Sequence, residues 1–382
     1  MDQARFEGLL QEFQARCSSE NTIYDLAAVA GQADSPIVVL VHGIGGNIRH
    51  WSDPVGMNVN DTWLFDLKAN PPKGTNGVAM SPPYQESAAK SWTSLLTENR
   101  ISYVNFSQAK PGDLLEFAVT ELVAILSSLE NLVFKPYEDD VASNGGQVPP
   151  LILVCHSRGG LVTRAALKQL GSAGVPHLRK VISLSTPHDG SFMPALANDY
   201  NNTLHNQMDF STIGNNLPGP VHMFLQRTVG QYLSGMANMV REAMLHSFGT
   251  MAQSPGFDEL RPSSTTLANL RQDEQPLPGV QYFSFGGANP TFVNMFLCVM
   301  GQNIHLLSTA STILVEIIGR IPDVKNGYGG LAELSNGDSA VATSRSHWPT
   351  QFNALHRDFS YNHMQALIDH PLQDAVLQII RS

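Results

Sequence analysis

The sequence predicts an α/β fold, a mostly parallel sheet covered on its faces by helices. Two observations predict it. Short runs rich in β-branched residues recur along the chain, and stretches with apolar residues at three- and four-residue spacing stand between them. The runs are Ile37 to Val41, Ile101 to Phe106, Leu151 to Val154, Val181 to Leu184 and Val280 to Phe285. Continuous apolar runs of this kind suit strands buried on both faces. Leu114 to Leu129 and Leu161 to Leu170 carry one apolar helical face each. The amino terminus, Met1 to Arg16, reads as a short amphipathic helix. Asp2, Glu7 and Glu12 interrupt its apolar positions, so it lacks the basic and apolar regions of a signal peptide.

Composition narrows the function classes. With 382 residues, 42% of them apolar and only 15% charged, the chain can bury a large core. Its formal net charge is −10 and no Lys/Arg run breaks that balance, so no nucleic-acid partner is expected. Cys17, Cys155 and Cys298 show neither zinc-site spacing nor the even count of a disulfide framework. A reducing compartment and a cytoplasmic location are expected. No run reaches the roughly 20 unbroken apolar residues of a membrane span. The nearest, Phe292 to Ile318, is interrupted by Gln302, Asn303, His305 and Glu316. No transmembrane segment is expected, and contact with a lipid interface would be transient.

The strand and helix alternation breaks after Ser191. From there to about Pro278 no clear strand is visible, and seven of the thirteen methionines fall in that stretch. Val221, Leu225, Val229, Leu233, Met236, Val240 and Met244 follow a helical stripe, which suits ordinary helix packing and equally a cap whose flexible thioethers adapt to acyl chains. The expected organisation is a catalytic domain of residues 1–190 and 279–382, a helical cap over 191–278, and a second lid segment over 290–320. Asn70 to Pro83 and Asn144 to Pro150 read as surface loops.

The strand at Leu151 to Val154 runs through Cys155-His156-Ser157-Arg158-Gly159-Gly160 straight into a helical stretch, with Ser157 at the turn. A nucleophile held on such a turn has a strained backbone, and small neighbours let strand and helix approach. A helix N-cap is the ordinary alternative for a serine here. Cys155 stands where the motif usually has glycine. His156, beside the nucleophile, is read as packing, and Arg158 as contributing its backbone N–H alone. Upstream, Ile37 to Val41 leads into His42-Gly43-Ile44-Gly45-Gly46, a turn that can aim a main-chain N–H into a cleft. The N–H groups of Ile44 and Arg158 are the candidate oxyanion hole. A phosphate-cradling loop would want a Lys-Ser or Lys-Thr pair, which this segment lacks.

A nucleophilic serine needs a histidine as base and a carboxylate to hold its tautomer, in the chain order serine, acid, histidine for this architecture. Asp338, in Asn336-Gly337-Asp338-Ser339, is the candidate acid. His363, between a short last strand closing at Phe359-Ser360-Tyr361 and a terminal helix from about Gln365 to Ile380, is the candidate base. Asp323, Glu333 and Asp358 are alternatives for the acid, and His347, His356 and His370 lie near the same end.

As a set these motifs, together with Ser185-Thr186-Pro187-His188-Asp189-Gly190-Ser191, resemble the bacterial lipase and esterase branch of the α/β-hydrolase superfamily. They are also similar to the deacylases that act on glycosylphosphatidylinositol anchors. The resemblance covers roughly Pro36 to Ile380. It implies an α/β-hydrolase fold and hydrolysis of carboxylic esters through an acyl-enzyme, on a small-molecule or lipid ester, without an organic cofactor. By resemblance His188 is structural. Some such families hold a calcium or zinc ion, but no cluster of metal ligands stands out in this sequence. An acyltransferase with the same triad, or a binding protein that keeps the fold without catalysis, would carry much of the same pattern.

Overall fold

The structure, a computed structural model, describes residues 1–20, 25–54, 77–81, 90–194, 254–290, 294–299, 302–308 and 336–382. Within them, ten strands and nine α-helices follow in chain order. Helix α1 (Gln3–Glu20) precedes β1 (Leu26–Val29) and β2 (Ile37–Val41). The one-turn α2 (Arg49–Ser52), β3 (Gly77–Ser81), α3 (Trp92–Glu98) and β4 (Ser102–Phe106) come next. Helix α4 (Leu115–Leu129) passes through a π-helical turn (Glu130–Phe134) into α5 (Lys135–Asn144), ahead of β5 (Leu151–His156), α6 (Arg158–Gly174) and β6 (Leu178–Leu184). Two short helices, α7 (Pro255–Asp258) and α8 (Thr265–Arg271), lead to β7 (Gln281–Gly287), β8 (Asn294–Val299) and β9 (Gln302–Ser308). Strand β10 (Leu355–Phe359) and helix α9 (His370–Arg381) end the chain.

Seven strands form one sheet in the order β1-β4-β2-β5-β6-β7-β10. Only the edge strand β1 runs antiparallel, against β4; every other pairing is parallel. The inner strands are buried on both faces because helices cover both. Val39, Val41, Leu153 and Cys155 face a core shared with α1, α4 and α6. Their neighbours Val38, Leu40, Ile152 and Val154 face a second core, with Trp51, Trp92 and the apolar stripe of α9. This one-residue alternation between two cores is what a continuous apolar strand requires.

Each of the five expected strands is present, extended by up to three residues, and Ser102 rather than Ile101 opens β4. Helix α6 breaks at Gly171, whose positive φ of 61° ends the regular run at Leu170. The terminal helix differs from the expected start at Gln365. Residues Gln365–Leu367 make only a 3-10 turn, and α9 begins at His370, because the Asp369 side chain accepts from the Leu372 N–H and Pro371 sits in the first turn.

Two expectations meet a separate three-stranded sheet, β3-β8-β9, antiparallel throughout. The stretch expected as a loop at Asn70 to Pro83 contains β3, which is paired along its length with β8. The second lid segment, 290–320, contains the β8–β9 hairpin paired to it. The methionine-rich stripe of 221–244, most of the cap assigned to 191–278, and the alternative acids Asp323 and Glu333 lie outside the described residues. Among the described residues one continuous helix, Leu115–Asn144, is long and apolar enough to cross a membrane. Its apolar face, from Leu115 to Leu129, is buried in the core against the sheet.

Candidate active site

Strand β5 ends at His156, α6 starts at Arg158, and Ser157 alone makes the turn, with φ 54° and ψ −132°. Positive φ at a residue with a Cβ is strained, and the surroundings hold it: the Ser157 N–H donates to the Leu184 carbonyl, and the Gly160 N–H to the Ser157 carbonyl. The helix-side glycines are forced by proximity. A Cβ on Gly159 would lie 2.4 Å from the Val41 carbonyl oxygen, and one on Gly160 would run into the Thr186 side chain. Ser157 is therefore no ordinary helix cap, and its side chain makes no capping hydrogen bond.

The Ser157 hydroxyl faces His363. Oγ and Nε2 are 2.9 Å apart, and the other ring nitrogen, Nδ1, is 2.9 Å from Asp338 Oδ2. The acid is wholly buried in a tight turn where Oδ1 accepts from the N–H groups of Ala340 and Val341, at 3.0 and 2.7 Å. That leaves Oδ2 for the imidazole. Its pairing puts the ring proton on Nδ1 and leaves Nε2 to accept from the serine. The His363 N–H also donates to the Asp338 carbonyl, tying the two loops together. Gly287, at the end of β7, leaves room for both: a Cβ there would meet the Tyr361 carbonyl oxygen at 2.5 Å and Asp338 Cβ at 2.6 Å. The alternatives are placed elsewhere. Asp358 pairs with His356 Nε2 at 2.9 Å, and His356 Nδ1 bonds Ser284. His347 stacks on His356, and His370 opens α9.

The glycine-rich turn after β2 lies against Ser157. A Cβ on Gly43 would stand 2.9 Å from Ser157 Cβ, so only glycine allows the approach. Among the described residues the N–H of Ile44 and that of Arg158 donate to no protein acceptor. Arg158 contributes more than the main-chain group foreseen. Its side chain is buried and donates from Nη1 to the Pro111 carbonyl at 2.8 Å and from Nη2 to the Asp113 carbonyl at 2.5 Å. Burial lowers its pKa to about 10. Pro111 also accepts from the Gly45 N–H, so one carbonyl links the glycine turn to the residue after Ser157. An arginine next to a serine in sequence carries no sign of this; the partner loop is brought in by the fold.

His156 is likewise more than packing. Its Nε2 donates to the His363 carbonyl at 2.9 Å, and its Nδ1 accepts from His50 Nε2 at 2.9 Å. Next to them, His42 Nε2 accepts from the Gln108 N–H, so Nδ1 carries the proton that goes to the Gly43 carbonyl. Burial pushes His50 and His156 well below the usual imidazole range and His42 to about 4, so all three are neutral. His188 is buried beside a bidentate Arg164–Glu274 pair. Arg164 Nη1 donates to the His188 carbonyl at 2.9 Å, and His188 Nε2 lies 2.9 Å from Ser183 Oγ. Cys155, on the strand before Ser157, is fully buried with its thiol pushed up to about 12 by burial, which makes it an inert packing residue.

Together the sheet order, the single antiparallel edge, a serine directly after β5, a histidine after β10 and an aspartate in a turn beside Gly287 of β7 define the α/β-hydrolase fold. A family model described as a domain of unknown function, DUF7379, matches residues 146–289, from just before β5 to just after β7. No curated protein matches the sequence. Among solved structures, the mature lipase BlEst2 of Bacillus licheniformis is similar over 93% of this chain and 98% of its own, at 15% identity and a TM-score of 0.45. Lipase 1 of Pelosinus fermentans is similar over 92% and 98%, at 14% identity and a TM-score of 0.43. The esterase RhEst1 of a Rhodococcus species is similar over 94% of each chain, at 12% identity and a TM-score of 0.37.

Proposed function

We propose that the chain is a serine hydrolase of carboxylic esters, a lipase or esterase, working through an acyl-enzyme. The observation that carries the proposal is the single imidazole of His363 standing 2.9 Å from both Ser157 Oγ and Asp338 Oδ2. In this reading His363 takes the Ser157 proton as the hydroxyl attacks the ester carbonyl, and Asp338 stabilises the imidazolium that forms. The N–H groups of Ile44 and Arg158 donate to the developing oxyanion, which favours the tetrahedral intermediate over the ground-state carbonyl. His363 then returns the proton to the leaving alkoxide. Water, deprotonated by the same imidazole, releases the acid and restores the serine. Solved lipases and esterases among the similar structures accord with an ester as substrate.

The test is turnover of p-nitrophenyl esters together with labelling by a fluorophosphonate. Ser157→Ala is expected to lower kcat by about four to six orders of magnitude and to abolish labelling, with an unchanged circular dichroism spectrum. Undiminished turnover in Ser157→Ala, or a wild-type chain that neither labels nor turns over, would remove the reading.

A further inference from the structure

Far from Ser157, at the amino-terminal ends of β5 and β6, three potential ligands converge: Glu130 and Glu138 from the helical segment that precedes β5, and His177 from the turn before β6. Their ligand atoms all lie within 4.8 Å of one another, with His177 Nε2 3.9 Å from Glu130 Oε1 and 3.2 Å from Glu138 Oε1. From these we infer a divalent metal site of the borderline-soft type, with zinc as the ion that suits one imidazole and two carboxylates.

The helix is built to make this convergence. Glu130 and Glu138 are eight positions apart (130 to 138), a spacing that in a regular helix turns the second side chain away from the first. The π-helical turn Glu130–Phe134 inserts one extra residue, which brings the pair back to one face; such turns recur at functional sites. The same turn presents Phe134, whose ring stacks on His177 at 4.6 Å and fixes the imidazole plane.

His177 supplies the second, independent pointer. The residue is 8% exposed, and its buried Nε2 is aimed between the two carboxylates, in ion-pair range of Glu138 but with no well-directed hydrogen bond. A buried ring nitrogen without a well-directed hydrogen bond is costly unless something binds it. The nearby cations are engaged elsewhere: Lys135 bonds Asn131, and Arg179 bonds the carbonyls of Pro176 and Leu178. Tetrahedral ligand bonds of about 2.0–2.2 Å place donor atoms about 3.3–3.6 Å apart, within reach of small side-chain rotations here, with water completing the shell. The site would pin the α4–α5 segment to the start of β6.

The test uses the whole chain, freed of metal by chelation and titrated with zinc chloride at about pH 7.5 by calorimetry. It is done on the His363→Ala variant as well, to set aside the imidazole and carboxylate at Ser157. One equivalent is expected to bind in both, to raise Tm, and to weaken at least about tenfold in His177→Gln and in Glu130→Gln. Cobalt chloride should give a visible d–d band that His177→Gln loses. If His177→Gln fails to fold, the half-exposed Glu138→Gln serves in its place. No binding below about 0.1 mM zinc, or equal binding in the variants, overturns the inference and leaves an imidazole–carboxylate ion pair.

Discussion

The Nε2–H of His156 donates to the main-chain carbonyl of His363 across 2.9 Å, so the residue that precedes Ser157 holds the residue that faces it. His50 completes the link by donating to His156 Nδ1. The orientation of His363 is thus set on two sides, by Asp338 at the ring and by His156 at the backbone.

Replacing His156 tests that link. His156→Phe leaves the His363 carbonyl and the His50 N–H without partners, at a cost of about 1–3 kcal/mol for each buried group. Loss of alignment at His363 is expected to lower kcat for a p-nitrophenyl ester by about ten- to a hundredfold, with KM little changed. Steady-state kinetics check it; an unaltered kcat would make His156 a packing residue only.

Arg158 offers a second handle on the same chemistry. Arg158→Ala deletes the two bonds that anchor Pro111 and Asp113, and Pro111 in turn anchors Gly45. A fall in kcat of about tenfold or more is expected from a loosened glycine turn, matching about 1.5–3 kcal/mol for a bond to a charged group. Lysine cannot present two donors in a fork, so Arg158→Lys should restore little of the rate.

The buried imidazoles predict how stability follows pH. Burial, partly opposed by the bond to the Gly43 carbonyl, holds His42 at about 4 against 6.5 for an ordinary histidine. Above 6.5 neither state binds the proton, and the contribution is complete. Between 6.5 and about 4 the unfolded chain takes up a proton that the folded chain refuses, so stability falls as pH falls. His42 alone supplies on the order of 3 kcal/mol of this loss, and His50, His156 and His188 act in the same direction. Urea unfolding between neutral pH and pH 4 should give a shallower slope for His42→Gln than for the wild type; equal slopes would discharge His42 from this role.

The pair of Arg164 and Glu274 is buried on both sides, with Nε–Oε1 at 2.9 Å and Nη2–Oε2 at 2.5 Å. Removing one partner leaves an uncompensated charge, so Glu274→Met is expected to cost about 3–5 kcal/mol. The double change Arg164→Met with Glu274→Met should cost less than the sum of the single changes. Denaturant midpoints of the four proteins measure the coupling.

Much of the architecture was legible because a doubly buried strand leaves a plain mark. Val38 and Val39 are both apolar since each faces a different core, and no loop needs that pattern. The turn at Ser157 was legible for a related reason: strand, serine and two glycines in succession reflect steric limits that act between near neighbours in sequence. His363 and Asp338 are legible by chain order, and the structure brings His363 to Ser157 and Asp338 to His363.

Other features left no such mark. His156 and Arg158 look unremarkable in the sequence because their partners, the His363, Pro111 and Asp113 carbonyls, are backbone groups that any residue carries. Glu130, Glu138 and His177 are separated by an entire strand and helix, and a π-helical turn changes the spacing that would otherwise betray a shared face. The β3-β8-β9 sheet was missed because its strands come from two stretches far apart in the chain, one of them bounded by prolines.

By itself the sequence determined which segments become strands and helices, and which serine sits at a strained turn, because those outcomes follow from burial pattern and local sterics. Only the tertiary structure decided which ring nitrogen meets which oxygen. Hydrogen bonds to a main-chain carbonyl are set by distance and direction in space, and residue identity carries no record of either.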